Sequence, residues 1–513
     1  MKTKNIIISF FLILLICFGF VIRVYNLSSV PAGFFADEAA IGYNAYSLLT
    51  KGADEYGVAY PFFFRSFGDY RLPVPIYSNI PFVALFGLNE FSVRATAAFF
   101  GTLTILIVFL LGKKMFSSSL IGLFCALFLA ISPWHIHFSR FGSEYIYFPF
   151  WFSLGLYFFL LGLENGKFLF ISFFVFGISL YTYYPALFTV PLFTLFLLII
   201  YFKKIVNDKK NIAIGLFIFF VMMVPFFIGI QNGTVLTRWQ RVSVIKDQSA
   251  QQSVSKIIQA YTAHFTPTFL FEKGDIEYPG HFITRFSVRG MGELYWIQLP
   301  FLLLGFITIF KKYRKAFYIL LLWLNLYPLG SSLTGTDGGG PFAFRSIFGV
   351  IPFQLISGVG AVYLFSFATS KTMKSLLFVL FTVVIVLSLQ KYLYKYFVEY
   401  PTYSSNFWGW QFGPHDVMNY FKKINSQYDD LFLMGSFNSP EIFISFYDPQ
   451  NICHFRCQVS GLERLDFNRK QLYAVGADRL REMAKYNFKI KKIIDFPDGK
   501  PAFFIGSPQE NKF

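Results

Sequence analysis

Two carboxylates, Asp37 and Glu38 in PAGFFADEAAIGYNAY, stand side by side in a chain with only 28 acids among 513 residues. A carboxylate beside a basic, partly dehydrated cavity can take the proton of an attacking hydroxyl, which is general-base work. The same pair could instead start a helix, Asp as N-cap and Glu in a first turn that the helix dipole favours. Spacing alone leaves both roles open. Other charged residues lie where helices should end: Asp69 and Arg71 in FGDYRLPVPIY, Arg94 in EFSVRATAAFFG, Arg140 and Glu144 in SPWHIHFSRFGSEY, and Arg345 in GTDGGGPFAFRSIFGVIP. His135 and His137 in WHIH diverge on a helix, so they read as aromatic packing, not as a shared metal site. GTDGGG lacks the flanking strand and the Lys-Ser/Thr ending of a P-loop. It reads as a flexible loop that lets Arg345 approach a cavity.

The elements that must carry these residues are membrane helices. Hydrophobic residues make up 55% of the chain, aromatic residues 21% and charged residues 14%, with mean hydropathy +0.51. Nearly charge-free windows such as 6–22, 168–184, 212–230 and 375–389 approach the length that crosses a bilayer. The first, opened by Lys2 and Lys4, begins like a signal peptide. Its long core and the lack of an A-x-A-like site make it a retained helix.

The net charge of +17 falls mostly in short gaps between apolar runs, at Lys113/Lys114, Lys203/Lys204, Lys209/Lys210, Lys311/Lys312, Arg314/Lys315 and Lys371/Lys374. That is the positive-inside pattern of cytoplasmic loops, and it argues against nucleic acid as a partner. Helices are expected near 6–25, 92–112, 118–134, 146–163, 168–184, 187–202, 211–230, 296–310, 316–332, 346–367 and 375–390. With the N-terminus in the cytoplasm, these eleven crossings put every basic cluster inside.

Three segments then face outwards: 26–91, a lid-like 231–295, and the tail from 391. The chain divides into a transmembrane domain, 1–390, and a soluble extracytoplasmic α/β domain, 391–513. The first outer segment should hold short surface helices over EAAIGYNAYSLLTKG and PVPIYSNIPFVALFGL. Cys17 and Cys125 read as small buried hydrophobes, whereas Cys453 and Cys457 in CHFRC could pair if the tail is outside the cell. Arginines at membrane depth face a cavity or a partner, and several on the outer side point to an anion. A lipid phosphate suits the guanidinium fork. Each arginine alone could equally snorkel or pair with an acid.

The ordered set PAGFFADEAAIGYNAYSLLTKGADEYG, GDYRLPVPIY, SPWHIHFSRFGSE and PFAFRSIFGVIP resembles the GT-C superfamily of membrane glycosyltransferases, in the branch of protein O-mannosyltransferases and lipid A aminoarabinose transferases. The resemblance covers roughly the first 370 residues. It implies inverting transfer of a sugar from a polyprenyl-phosphate donor to a lipid, glycan or protein acceptor outside the cytoplasm, in a bacterial cytoplasmic membrane. Asp37 matches the catalytic aspartate and Glu38 the second acid of that pair. Arg71 matches the donor-phosphate contact, and Arg140 and Arg345 match basic positions lining the same pocket. Asp69, Tyr70, Arg94 and Glu144 are supporting candidates. The basic-Pro-Pro of relatives reads Arg71-Leu72-Pro73 here, and Tyr70 stands where some relatives carry an acid. No obligatory metal or other cofactor is therefore expected. A transporter or flippase for a lipid-linked saccharide, a polymerase of such saccharides, and a membrane scaffold are the rival readings.

Overall fold

The computed structural model describes residues 2–245, 249–335, 340–435 and 439–509; Thr336 to Gly339, most of GTDGGG, lie outside the described residues. The apolar runs fold as helices: α1 (Lys2–Val24), α4 (Glu90–Phe116), α5 (Ser119–Ile131), α6 (Pro133–Ser139), α7 (Tyr147–Gly162), α8 (Lys167–Leu180) and α9 (Ala186–Ile200), followed by Lys209–Gln231, Gln298–Lys312, Arg314–Leu326, Val350–Ser366 and Lys371–Tyr394. Ser118 caps α5 by accepting a hydrogen bond from the Ile121 amide, and Ser132 caps α6 through the His135 amide. Glycines let the helices approach closely: a Cβ on Gly122 would lie 2.6 Å from the Phe109 carbonyl, so α4 and α5 meet backbone to backbone.

All eleven expected segments are helical, but the expected count of crossings is not reached on length. Among the described residues, five helices are long and apolar enough to cross a membrane, or six if α5 and α6, bent by 61°, count as one span. Helices α7, α8, α9, Gln298–Lys312 and Arg314–Leu326 run 13 to 16 residues, short of the roughly 20 that span the hydrocarbon without help.

Residues 26–91 hold α2 (Ala36–Lys51), a hairpin of β1 (Phe64–Ser66) and β2 (Asp69–Arg71), and α3 (Pro73–Phe86). Pro73 occupies the first turn of α3, where its missing N–H costs nothing, so Arg71 ends a strand directly before a helix.

The last apolar helix does not stop near 390. It continues through a π-helical turn at Lys395–Glu399 to Ser404, 34 residues in all. The C-terminal unit begins beyond it, with helices Pro414–Ile424 and Glu441–Tyr447 and strands β3 (Asp430–Leu433), β4 (Cys457–Val459), β5 (Gln471–Gly476), β6 (Asn487–Asp495) and β7 (Pro501–Gln509). Strand order is β4-β3-β5-β7-β6, parallel across β4, β3 and β5 and antiparallel from β5 through β7 to β6. Cys453 and Cys457 are disulfide-bonded. The apolar core of this unit, with Val417, Phe421, Leu431, Phe446 and Phe503, is continuous with Ala36, Ala39 and Ala40 of α2 and Val93 of α4. The C-terminal domain is therefore built onto the back of the helix that carries the acid pair.

Candidate active site

Helix α2 separates the two acids by the geometry of its first turn. Phe35 is the N-cap and Asp37 the second helical residue, so Asp37 is not the cap that the sequence allowed. Glu38 turns inwards and is fully buried. Its carboxylate accepts from Arg94 Nε at 2.9 Å and Nη2 at 3.0 Å, from the Gly142 amide at 2.8 Å and from the Phe35 amide at 3.2 Å. Arg94 spends its remaining donors on the carbonyls of Leu27, Pro31 and Gly33. This closed pair staples the start of α2 to α4 and leaves Glu38 no free oxygen for substrate.

Asp37 turns the other way, into a cavity of about 210 Å³ whose wall includes Asp37, Asp69, Tyr70, Arg71, Glu144, Tyr145, Arg238, Arg241, Arg285 and Arg345. Arg71 is its hub: Nη2 meets Asp37 Oδ1 at 2.6 Å, Nη1 meets Glu144 Oε2 at 2.8 Å, and Nε donates to Ser66 Oγ at 3.1 Å. Burial pushes the Arg71 guanidinium down, but Asp37 and Glu144 more than offset it, so its pKa lies above the ordinary arginine value. Asp69 accepts from Arg238 Nη1 at 2.9 Å and from Thr237 Oγ1 at 3.3 Å, which fastens the short helix Leu236–Val242 over the hairpin. Arg241 adds a bond to the Phe67 carbonyl at 3.1 Å. Arg238 is likewise pushed down by burial and raised overall by Asp69.

Arg345 enters from the far side, its Nη1 donating to Thr334 Oγ1 at 2.8 Å and its guanidinium facing Phe342 and Phe344. The loop that carries it is pinned by Asp275, which accepts from the Ala343 amide at 2.8 Å and from Ser287 Oγ at 2.9 Å. Burial raises the Asp275 carboxyl, and burial together with Asp275 raises Glu293 far above the usual carboxylate range.

Asp37, Asp69, Tyr70, Arg71, Glu144 and Arg345 are thus brought together as the sequence predicts. Glu38, Arg94 and Arg140 are not. Arg140, expected on the donor phosphate, donates to the carbonyls of Ile22, Arg23 and Val30 at 2.7, 3.0 and 2.8 Å. It closes the C-terminal end of α1, where unsatisfied carbonyls and the dipole favour a cation. Arg23, buried beside it, does the same for the carbonyls of Leu129 and Ala130. His135 meets Arg23 and His137 the Arg285 carbonyl, so the two rings do diverge. Sequence reasoning missed Arg238, Arg241 and Arg285, whose signal was the basic-aromatic runs TRWQRVS and ITRFSVRG in the lid-like segment. Among the described residues, no three of His, Cys, Asp and Glu stand together as a metal-ligand group.

The fold has counterparts in known proteins. The sequence family described as dolichyl-phosphate-mannose-protein mannosyltransferase matches residues 73–228, a stretch that holds Glu144 but begins just after Arg71. ArnT from Cupriavidus metallidurans, solved with undecaprenyl phosphate bound, superposes with a TM-score of 0.54 at 11% identity, covering 97% of this chain and 99% of that one. The fold is that of the GT-C glycosyltransferases. The GT-C resemblance drawn from the four motifs is thereby borne out. A second GT-C structure, the archaeal oligosaccharyltransferase AglB from Archaeoglobus fulgidus with an inhibitory peptide and a dolichol-phosphate, superposes with a TM-score of 0.57 at 12% identity, covering 99% of this chain and 75% of that one. No curated protein matches the chain.

Proposed function

We propose that the protein is a membrane glycosyltransferase that moves a sugar, with inversion, from a polyprenyl-phosphate donor to an acceptor hydroxyl on the outer face of the membrane. The observation that carries this reading is the charge of the cavity wall, where five arginines, Arg71, Arg238, Arg241, Arg285 and Arg345, stand against three carboxylates, Asp37, Asp69 and Glu144. A lipid-linked sugar phosphate is a diester with one negative charge, and the phosphate it leaves behind carries about −1.5 to −2 at neutral pH. The surplus of positive charge therefore matches the leaving group better than the donor, which is the differential stabilisation that lowers a barrier. The acceptor oxygen bonds to the sugar C1 while the bond from C1 to the phosphate oxygen breaks. Asp37 takes the hydroxyl proton, and the lipid phosphate departs against Arg71 and Arg345. No metal or other cofactor is part of this proposal.

The undecaprenyl phosphate bound to ArnT and the dolichol-phosphate bound to AglB support a donor of this class. The Cys453–Cys457 disulfide and the basic loops between helices support an N-terminus in the cytoplasm and an outer domain in an oxidising compartment.

Asp37→Asn keeps the size and a hydrogen-bond acceptor for Arg71 but cannot take a proton, so transfer should fall by about 10²–10⁴-fold while donor binding persists. Incubating the purified protein with a panel of polyprenyl-phosphate sugars and following products by mass spectrometry tests both claims. Near wild-type turnover in the variant would end the assignment of Asp37, and no turnover of any donor by the wild type would favour a transporter. The 2.6 Å bridge to Arg71 favours a second role, in which Asp37 chiefly orients that arginine. In that case Asp37→Asn would raise KM for the donor and leave the pH profile of kcat unchanged.

A further inference from the structure

Among the places where the C-terminal domain meets the catalytic layer is one turn, SSNFWGWQFG, residues 404–413. The turn is closed on itself: the Trp410 amide donates to the Ser404 carbonyl at 2.7 Å, the Phe412 amide to the Ser405 carbonyl at 3.0 Å, and Asn406 Oδ1 accepts from the Gly409 amide at 2.8 Å. Gln411 sits buried at its tip with a left-handed φ of 52°. Its Oε1 accepts the Ala36 amide at 3.1 Å. Ala36 is the first residue of α2, and its N–H belongs to the four that a helix start leaves without internal partners. Phe35, at the N-cap, has no side-chain acceptor to offer, so the cap comes from 375 residues away.

Three further contacts converge on the same turn. Gly33 has φ +107°, and a Cβ there would lie 2.5 Å from the Trp410 carbonyl, so the two strands of backbone meet at a point only glycine allows. Arg285, a residue of the cavity wall, donates to the Trp408 carbonyl at 3.0 Å and lies 3.7 Å over the Phe35 ring. The Trp410 ring faces the Arg94 guanidinium, which holds Glu38.

We propose that Gln411 is a positioning residue: by capping α2 it fixes the direction in which Asp37 enters the cavity, and it makes the C-terminal domain a working part of the site. This rests on the reading of Asp37 as the reacting carboxylate. A base displaced by an ångström or less still folds and binds but reacts more slowly. The effect belongs to kcat.

The test uses the full-length protein in lipid nanodiscs. Gln411→Leu removes the acceptor at nearly constant size, and Gln411→Glu restores an oxygen at the same place. Amide exchange over residues 34–44 and turnover of the polyprenyl-phosphate sugar that the wild type uses fastest are measured for both. Gln411→Leu should accelerate exchange in the first turn of α2 and lower kcat on the order of 10-fold at unchanged donor KM, and Gln411→Glu should recover both. If Gln411→Leu fails to fold, Gln411→Asn, which retracts the amide by one methylene, serves in its place. Unchanged exchange, or faster exchange with unchanged kcat, overturns the proposal. A wild-type protein that turns over no donor would instead overturn the proposed function, and the exchange measurement alone would then decide whether Gln411 holds the helix.

Discussion

Asp37 and Glu38 are adjacent in sequence and opposite in fate. A helix turns about 100° per residue, so two adjacent acids cannot both point squarely at α4; here Glu38 points into the packing and Asp37 away from it. The sequence shows the pair but not the phase, because phase is set by what packs behind. Here Val93, Arg94 and the C-terminal domain occupy that side. Glu38→Gln should therefore act on folding before chemistry: it leaves Arg94 buried without its counter-charge, a loss of about 3–5 kcal/mol for a broken buried pair. Thermal unfolding of the purified variant would show it as a large drop in midpoint. A stable Glu38→Gln protein with abolished transfer would return Glu38 to the chemistry. Arg140 teaches the same lesson, since an arginine near a helix end reads identically whether it meets a phosphate or the last carbonyls of a neighbouring helix.

The helices were legible as elements because long apolar runs have few alternatives, and each expected segment is helical. Their function as crossings was less legible, because length in sequence does not reveal bends such as the 61° break between α5 and α6. The short helix Leu236–Val242 was invisible for a different reason: it buries none of its residues, so no apolar period marks it. Its side chains hold it by the Arg238 to Asp69 bridge and the Arg241 to Phe67 hydrogen bond, beside a backbone bond from the Gly335 amide to the Val242 carbonyl. Asp69→Asn should loosen that helix without unfolding the protein. Amide exchange over residues 234–244 should quicken several-fold and donor KM should rise, because Arg238 and Arg241 line the cavity. Unaltered exchange there would show that the helix is held by something other than charge.

Across the whole molecule, the C-terminal domain is also fastened to the membrane domain where His415 Nδ1 meets Glu90 Oε1 at 2.5 Å and Tyr447 donates to the same oxygen at 2.9 Å. The hydrogen bond to Glu90 raises the His415 pKa despite partial burial; Asp416 adds to it and Lys422 opposes it. A histidine whose folded pKa exceeds its unfolded value of about 6.5 contributes stability below that pH and loses it as pH rises through the folded value. The docking should therefore weaken from pH 6.5 upwards. Limited proteolysis of the 404–413 turn between pH 5.5 and 8.5 would follow it, and His415→Gln should flatten the dependence. A pH-independent cleavage rate in the wild type would remove this role from His415.

The helix that carries this domain, Lys371–Ser404, is 34 residues long with only 11% of its apolar window buried. At 1.5 Å per residue it measures about 51 Å, some 20 Å more than the hydrocarbon of a bilayer. Its length nonetheless has an angular meaning. One residue inserted below the π-helical turn at Lys395–Glu399 would swing everything above it by about 100° while raising it only 1.5 Å. The stalk is thus an index of azimuth more than of height, and it keeps the turn that bears Gln411 aimed at α2.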